Sequence, residues 1–135
     1  MNFIAANNAN DIFYNYLLSG IYSPKASIQT IANAMDVGDP SNFARILDLY
    51  KSSHAEICNH ISGATYSDDE IAATMKKCYE QTGYVLDPHG ACGYQALKDN
   101  LKEGETGVFL ETAHPAKFKE KVDAILSTDI EIPTR

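Results

Sequence analysis

Gly107-Val108-Phe109-Leu110-Glu111-Thr112-Ala113-His114-Pro115-Ala116-Lys117-Phe118 is the stretch that decides the fold class. Val108 to Leu110 reads as a buried strand, and Thr112 with His114 as a polar turn. Pro115 reads as the start of a helix, because a proline there gives up no useful N–H and arrives with its φ preset. The turn thus lies at the carboxyl end of a strand and the amino end of a helix, where open α/β sheets bind ligands. A helix N-terminus favours negative charge, and the Thr112 hydroxyl can donate or accept. On spacing alone, the same residues also read as an ordinary turn with Thr112 as a local cap.

Working outward, strands and helices alternate. Phe3 to Ala6 is a short apolar strand, expected in one sheet with Val108–Glu111. Asn10 is placed to cap a helix carrying Ile12, Phe13, Tyr16 and Leu17 on one side, which Ser19-Gly20 ends. Residues 21–40 hold Pro24, Gly38 and Pro40, and Ile28, Ile31, Ala34 and Met35 offer one helical turn among them. Ser41 caps the next helix, with Phe43, Ile46, Leu47 and Tyr50 at helical spacing. Residues 52–65 read as a polar helix continuation or a connector. Their His54, Cys58 and His60 invite a metal reading, but zinc typically takes four ligands and no further one is nearby.

Ser67-Asp68-Asp69-Glu70 is a capping box that opens a helix with Ile71, Met75, Cys78 and Tyr79 on one face; Gly83 stops it. Val85-Leu86 then runs into Asp87-Pro88-His89-Gly90, a second cap with proline in the first turn. Gly90 and Gly93 leave that helix start bare, as close approach by a ligand or another backbone requires. The last helix carries Phe118, Val122, Ile125 and Leu126, and the tail from Ser127 runs over the surface. These elements define one α/β unit, residues 1–135, with a small, mainly parallel sheet flanked by helices.

Composition is that of an ordinary globular domain, 44% hydrophobic and 21% charged. A net charge of −7 argues against nucleic-acid binding, which wants a basic face. No apolar run approaches a membrane span, and no signal peptide opens the chain. Three cysteines cannot all pair; without a secretory signal they read as reduced, cytoplasmic thiols.

Three ordered stretches add a resemblance. Gly107-Val-Phe-Leu-Glu-Thr-Ala-His-Pro-Ala-Lys-Phe118 resembles the C-terminal signature of bacterial and fungal threonine synthases. Ser27-Ile-Gln-Thr-Ile-Ala-Asn-Ala-Met-Asp-Val-Gly-Asp-Pro-Ser-Asn42 resembles the family's central segment. Thr82-Gly-Tyr-Val-Leu-Asp-Pro-His-Gly-Ala-Cys-Gly-Tyr94 resembles its T-G-Y-x-x-D-P-H-G-A-x-G-Y segment. The likeness runs from about Phe3 to about Ile132, far more specific than a short motif.

The resemblance implies the C-terminal part of a larger fold type II pyridoxal-phosphate enzyme. Such an enzyme is a lyase that converts O-phosphohomoserine and water to threonine and phosphate. Phosphate leaves the γ-carbon and water adds at the β-carbon. It implies Thr112 opposite the cofactor's ring nitrogen, with Asp87 in the turn that lines the ring pocket, although an N-cap role explains Asp87 equally well. Thr30, Asn33 and Asp36 fall in a segment like the substrate-side wall. His89 and His114 are candidate acid–base groups there, or simply bond their turns. Family members carry the Schiff-base lysine in an F-K-D-like segment and hold the cofactor phosphate with an S-G-N-F-G-N-like loop. Neither is found in this sequence, and none of the nine lysines lies in such a setting. The catalytic lysine is thus unknown here, the missing N-terminal part is an implied partner, and the chain alone is expected to be inactive. A free-standing α/β ligand-binding or interaction domain, or a metal hydrolase using His54, His60, His89 and His114, are the alternatives.

Overall fold

The structure, a computed structural model, describes residues 1–134, which fall into two compact units divided between Tyr66 and Ser67. The first unit holds strands β1 (Phe3–Asn7) and β2 (Ile61–Thr65) and helices α1 (Ile12–Ser19), α2 (Phe43–Leu49) and α3 (His54–His60). β1 and β2 pair in parallel, with Phe3 opposite Ile61 and Asn7 opposite Thr65. A parallel pair needs a long crossover, and the helices supply it. The expected parallel α/β arrangement is therefore present, but its second strand is Ile61–Thr65 rather than Val108–Glu111.

Aromatic side chains hold this unit together. Tyr16, Phe43 and Ile57 are buried, and Phe13, Leu17, Ile46, Leu47 and Tyr50 pack around them. The Tyr22 and Phe43 rings stack at 4.2 Å, and Tyr16 meets Phe43 edge-on at 4.7 Å. Such pairs add about 0.5–1.5 kcal/mol each beyond area burial. Tyr22 donates to Asp39 at 2.8 Å; burial, then that carboxylate, push its phenol up to about 12. His54 Nε2 lies 3.1 and 3.0 Å from the Tyr16 and Leu17 carbonyls at the end of α1, where the Gly20 N–H already donates to Tyr16. Among the described residues, no group of three or more His, Cys, Asp and Glu could hold a metal ion.

Several local expectations are corrected. Asp11, not Asn10, occupies the N-cap of α1, because Asn10 turns away to bond the 28–36 loop. Asn42, not Ser41, precedes α2, and no side chain caps it. Residues 52–65 hold a helix, as one reading had it, but then the strand Ile61–Thr65, which neither reading gave. Residues 21–40 contain one 3-10 turn, Asn33–Met35, and Ile28 and Met35 are exposed, so they make no core face.

The second unit is built from α4 (Asp68–Thr82), α5 (Pro88–Asn100) and α6 (Lys119–Leu126), with a 3-10 turn at Pro115–Phe118. Its buried side chains include Ile71, Met75, Cys78, Leu86, Ala91, Phe118, Val122 and Leu126. The helix starts near Ser67, Pro88 and Pro115 are those expected. The capping box is complete: the Ser67 N–H donates to Glu70 at 2.8 Å, and Ser67 Oγ accepts from the Glu70 N–H at 3.4 Å. Gly83 closes α4 in the left-handed conformation, φ 73°. Replacing the cap, Ser67→Ala, should lower stability by about 1 kcal/mol. A reduced urea midpoint at constant slope would report it, and an unchanged midpoint would contradict it.

Neither Val85-Leu86 nor Val108–Leu110 is a strand here. A strand is defined by its ladder, and the two strands among the described residues pair only with each other. Residues 107–113 still keep strand character: exposure alternates strictly, with Val108, Leu110 and Thr112 outward and Phe109 and Glu111 inward. Val108 and Leu110 are 84% and 76% exposed. Among the described residues, no helix is long and apolar enough to cross a membrane.

Candidate functional site

Two clusters of polar residues gather the candidate positions, one in each unit. In the first, Asp36 is the centre. Its Oδ1 accepts from the Thr30 hydroxyl at 2.7 Å, from Asn8 Nδ2 at 3.0 Å and from Asn10 Nδ2 at 3.2 Å. Its Oδ2 accepts from the Thr30 N–H at 3.0 Å. Asn8 also reaches Thr30 Oγ1 at 3.0 Å, and both residues are buried. A carboxylate that gathers four donors is well compensated for leaving water. Thr30 and Asp36 therefore hold the 28–36 loop against the end of β1. Asn33 stands exposed on the 3-10 turn they support.

Sequence reasoning passes over Asn8 and gives Asn10 only as a helix cap. Their signal lay in Asn7-Asn8-Ala9-Asn10 at a strand end, where short amides bond nearby backbone. The Asn10 side chain exchanges two bonds with the Ile28 backbone, at 2.8 and 2.7 Å.

In the second unit, Asp87 caps α5. It is wholly buried, and its Oδ1 accepts from the His89 N–H at 2.8 Å. The close approach expected at Gly90 exists, but a side chain makes it. A Cβ on Gly90 would collide with the Glu111 carboxyl, while one on Gly93 would meet Phe109. Glu111 Oε1 accepts from the Asp87 N–H at 2.9 Å. Burial pushes the Glu111 carboxyl up to about 7; the Asp87 N–H pulls it back, and the Asp87 carboxyl adds to the rise. Glu111 is the residue that sequence reasoning passed over, because only the fold brings it to Gly90.

The neighbouring candidates divide by role. His114 caps the 3-10 turn: its Nδ1 accepts from the Ala116 N–H at 3.1 Å, which puts the proton of the neutral ring on Nε2. The cap position read for Thr112 therefore belongs to His114, and Thr112 itself stands exposed. The His89 ring lies 5.8 Å from the Phe118 ring. The Cys92 thiol, pushed up to about 12 by burial and then by Asp87, is neutral and inert.

The unit thus presents Thr112 outward from an extended segment pinned to a helix N-terminus. Residues 1–112 match the family model described as pyridoxal-phosphate dependent enzyme, and the chain belongs to that family. Residues 90–135 match the model described as threonine synthase, C-terminal. Among curated proteins, threonine synthase of Haemophilus influenzae is 47% identical over 131 residues, which is 97% of this chain and 30% of that protein. The crystal structure of threonine synthase from Escherichia coli superposes with a TM-score of 0.90 at 42% identity, over 98% of this chain and 30% of that one. A pyridoxal-phosphate-bound threonine synthase from Brucella melitensis gives 0.89 at 29% identity, over 98% and 34%. The chain therefore spans about 30% of the length of the curated relative it matches.

Proposed function

We propose that this chain is the C-terminal portion of a threonine synthase, a pyridoxal-phosphate-dependent lyase. The whole enzyme converts O-phospho-L-homoserine and water to L-threonine and phosphate in the cytoplasm. The observation that carries the reading is similarity to threonine synthases along 97% of the chain. Exposed Val108 and Leu110 on an extended, alternating segment support a longer protein, since a strand edge of that kind seeks a partner.

The residues present fit the ring face of the cofactor. Thr112 offers an exposed, neutral hydroxyl as partner for the pyridine nitrogen. Asp87 and Glu111 lie behind it and hold its segment to α5. Pyridoxal phosphate, when bound, supplies the electron sink for carbanion chemistry. A hydroxyl partner leaves the ring nitrogen less firmly protonated than a carboxylate would. Thr30 and Asp36 shape the 28–36 loop, and Asn33 is the member of that group presented for substrate contact. His114, committed through Nδ1, keeps an Nε2 proton with which to bond a substrate oxygen.

The test is direct. The full-length enzyme carrying this sequence should release phosphate from O-phosphohomoserine and form threonine in equal amounts when loaded with pyridoxal phosphate. Phosphate release without threonine, or no turnover by a folded, cofactor-loaded protein, would overturn the assignment. A binding or interaction domain would then be the better reading.

A further inference from the structure

Two carboxyl groups hold the segment that carries Thr112. The Asp87 N–H donates to Glu111 Oε1 at 2.9 Å, while Asp87 Oδ1 accepts from the His89 N–H. The remaining oxygens, Asp87 Oδ2 and Glu111 Oε2, are buried and meet no donor from the described residues. Gly90 brings the helix backbone directly under the Glu111 carboxyl, where even a Cβ would collide with it. Ionised carboxylates only accept. Side by side and out of water they repel, and both oxygens stay unsatisfied. One proton removes both defects.

We propose that Glu111 is a positioning residue: it carries a proton on Oε2 and donates it to Asp87 Oδ2. With the Asp87 N–H donating to Glu111 Oε1, this closes a reciprocal pair of bonds that fixes the extended segment on α5 and sets the place of Thr112. The inference rests on the reading of Thr112 given above. The proton belongs on Glu111 because Asp87 sits at the positive end of a 13-residue helix, with the His89 backbone N–H already donating to its carboxylate. The Glu111 carboxyl, pushed up to about 7 mainly by burial, agrees with that placement. Titratable groups on these elements include His89 and Cys92 on α5 and His114 on the segment itself, and Asp68 at the start of α4 acts on Cys92. The Cys92 thiol is neutral, the His89 ring lies against Phe118, and His114 is engaged with Ala116.

A pH dependence follows. The folded chain keeps a proton that unfolded glutamate releases near its ordinary pKa of about 4.3. The pair's contribution is therefore full below that pH and is lost as pH rises through about 7.

Infrared spectroscopy of the full-length enzyme carrying this chain tests the pairing, read as the difference between the native protein and Glu111→Gln. The native protein should show a protonated-carboxyl band at about pH 6 that disappears by about pH 8 and is missing from the variant. Glutamine keeps both a donor and an acceptor, so Glu111→Gln should fold and turn over normally. It should also lose the fall in Tm that the native protein shows between those pH values. Glu111→Ala, which keeps neither bond, should lose about tenfold in kcat, with glutamine restoring it. Absence of the band, or a native pH dependence of Tm in Glu111→Gln, overturns the proposal. Neither readout needs turnover. A fully active Thr112→Val protein with the band intact would instead sink the reading of Thr112, so the two failures are told apart.

Discussion

A polypeptide of residues 1–135 should neither trap pyridoxal phosphate covalently nor release phosphate from O-phosphohomoserine. A lysine that forms a covalent bond with the cofactor must lose its proton near neutral pH, and desolvation or a neighbouring cation is what makes that possible. Eight of the nine lysines of this chain sit in the opposite environment. Lys25, Lys51, Lys76, Lys77, Lys98, Lys102 and Lys117 are exposed. Lys119 bonds Asp123 at 2.7 Å and also Asp129, and these carboxylates hold its ammonium above the usual lysine range. Nor does the sequence hold the glycine-rich loop whose backbone N–H groups cradle a phosphate. The expected result is no absorbance band that sodium borohydride can fix and no phosphate above background. A fixed band on the chain alone would show that one of these lysines is the anchor and that the assignment of the missing parts is wrong.

In the full-length enzyme, Thr112→Val should lower the rate about tenfold to a hundredfold with little loss of fold. Valine keeps the branched shape and removes only the hydroxyl. A neutral hydrogen bond is worth about 0.5–1.5 kcal/mol net, and a buried partner left unsatisfied costs about 1–3 kcal/mol. Each 1.4 kcal/mol is about tenfold in rate. Stability should change little because the side chain is exposed and the turn is capped by His114 rather than by Thr112. Thr112→Ser keeps the donor and should retain most activity. Equal activity in the valine and serine variants would remove Thr112 from the cofactor face.

Signals that act within about one helical turn were legible in the sequence. Ser67 and Glu70 cap α4 through bonds three residues apart, and Asp87 with Pro88 opens α5 through a bond to His89. The apolar faces of α1, α2, α4 and α6 were legible for the same reason, since helical periodicity is a local property. Thr112 was legible as a polar residue at the end of an apolar stretch, and the three motif stretches carried the family. The tertiary structure decided where one segment had to choose among distant partners. Ile61–Thr65 is a strand because Phe3–Asn7 pairs with it, whereas Val108–Leu110 keeps a strand's alternation without a ladder. Asn10 abandons the cap of α1 because Ile28 and Asp36, 18 and 26 residues away, offer it better bonds. Glu111 meets Asp87 across 24 residues, on a helix start that only Gly90 leaves open. Pairing of that kind depends on burial and on groups brought together by chain closure, and no local pattern in the sequence encodes it.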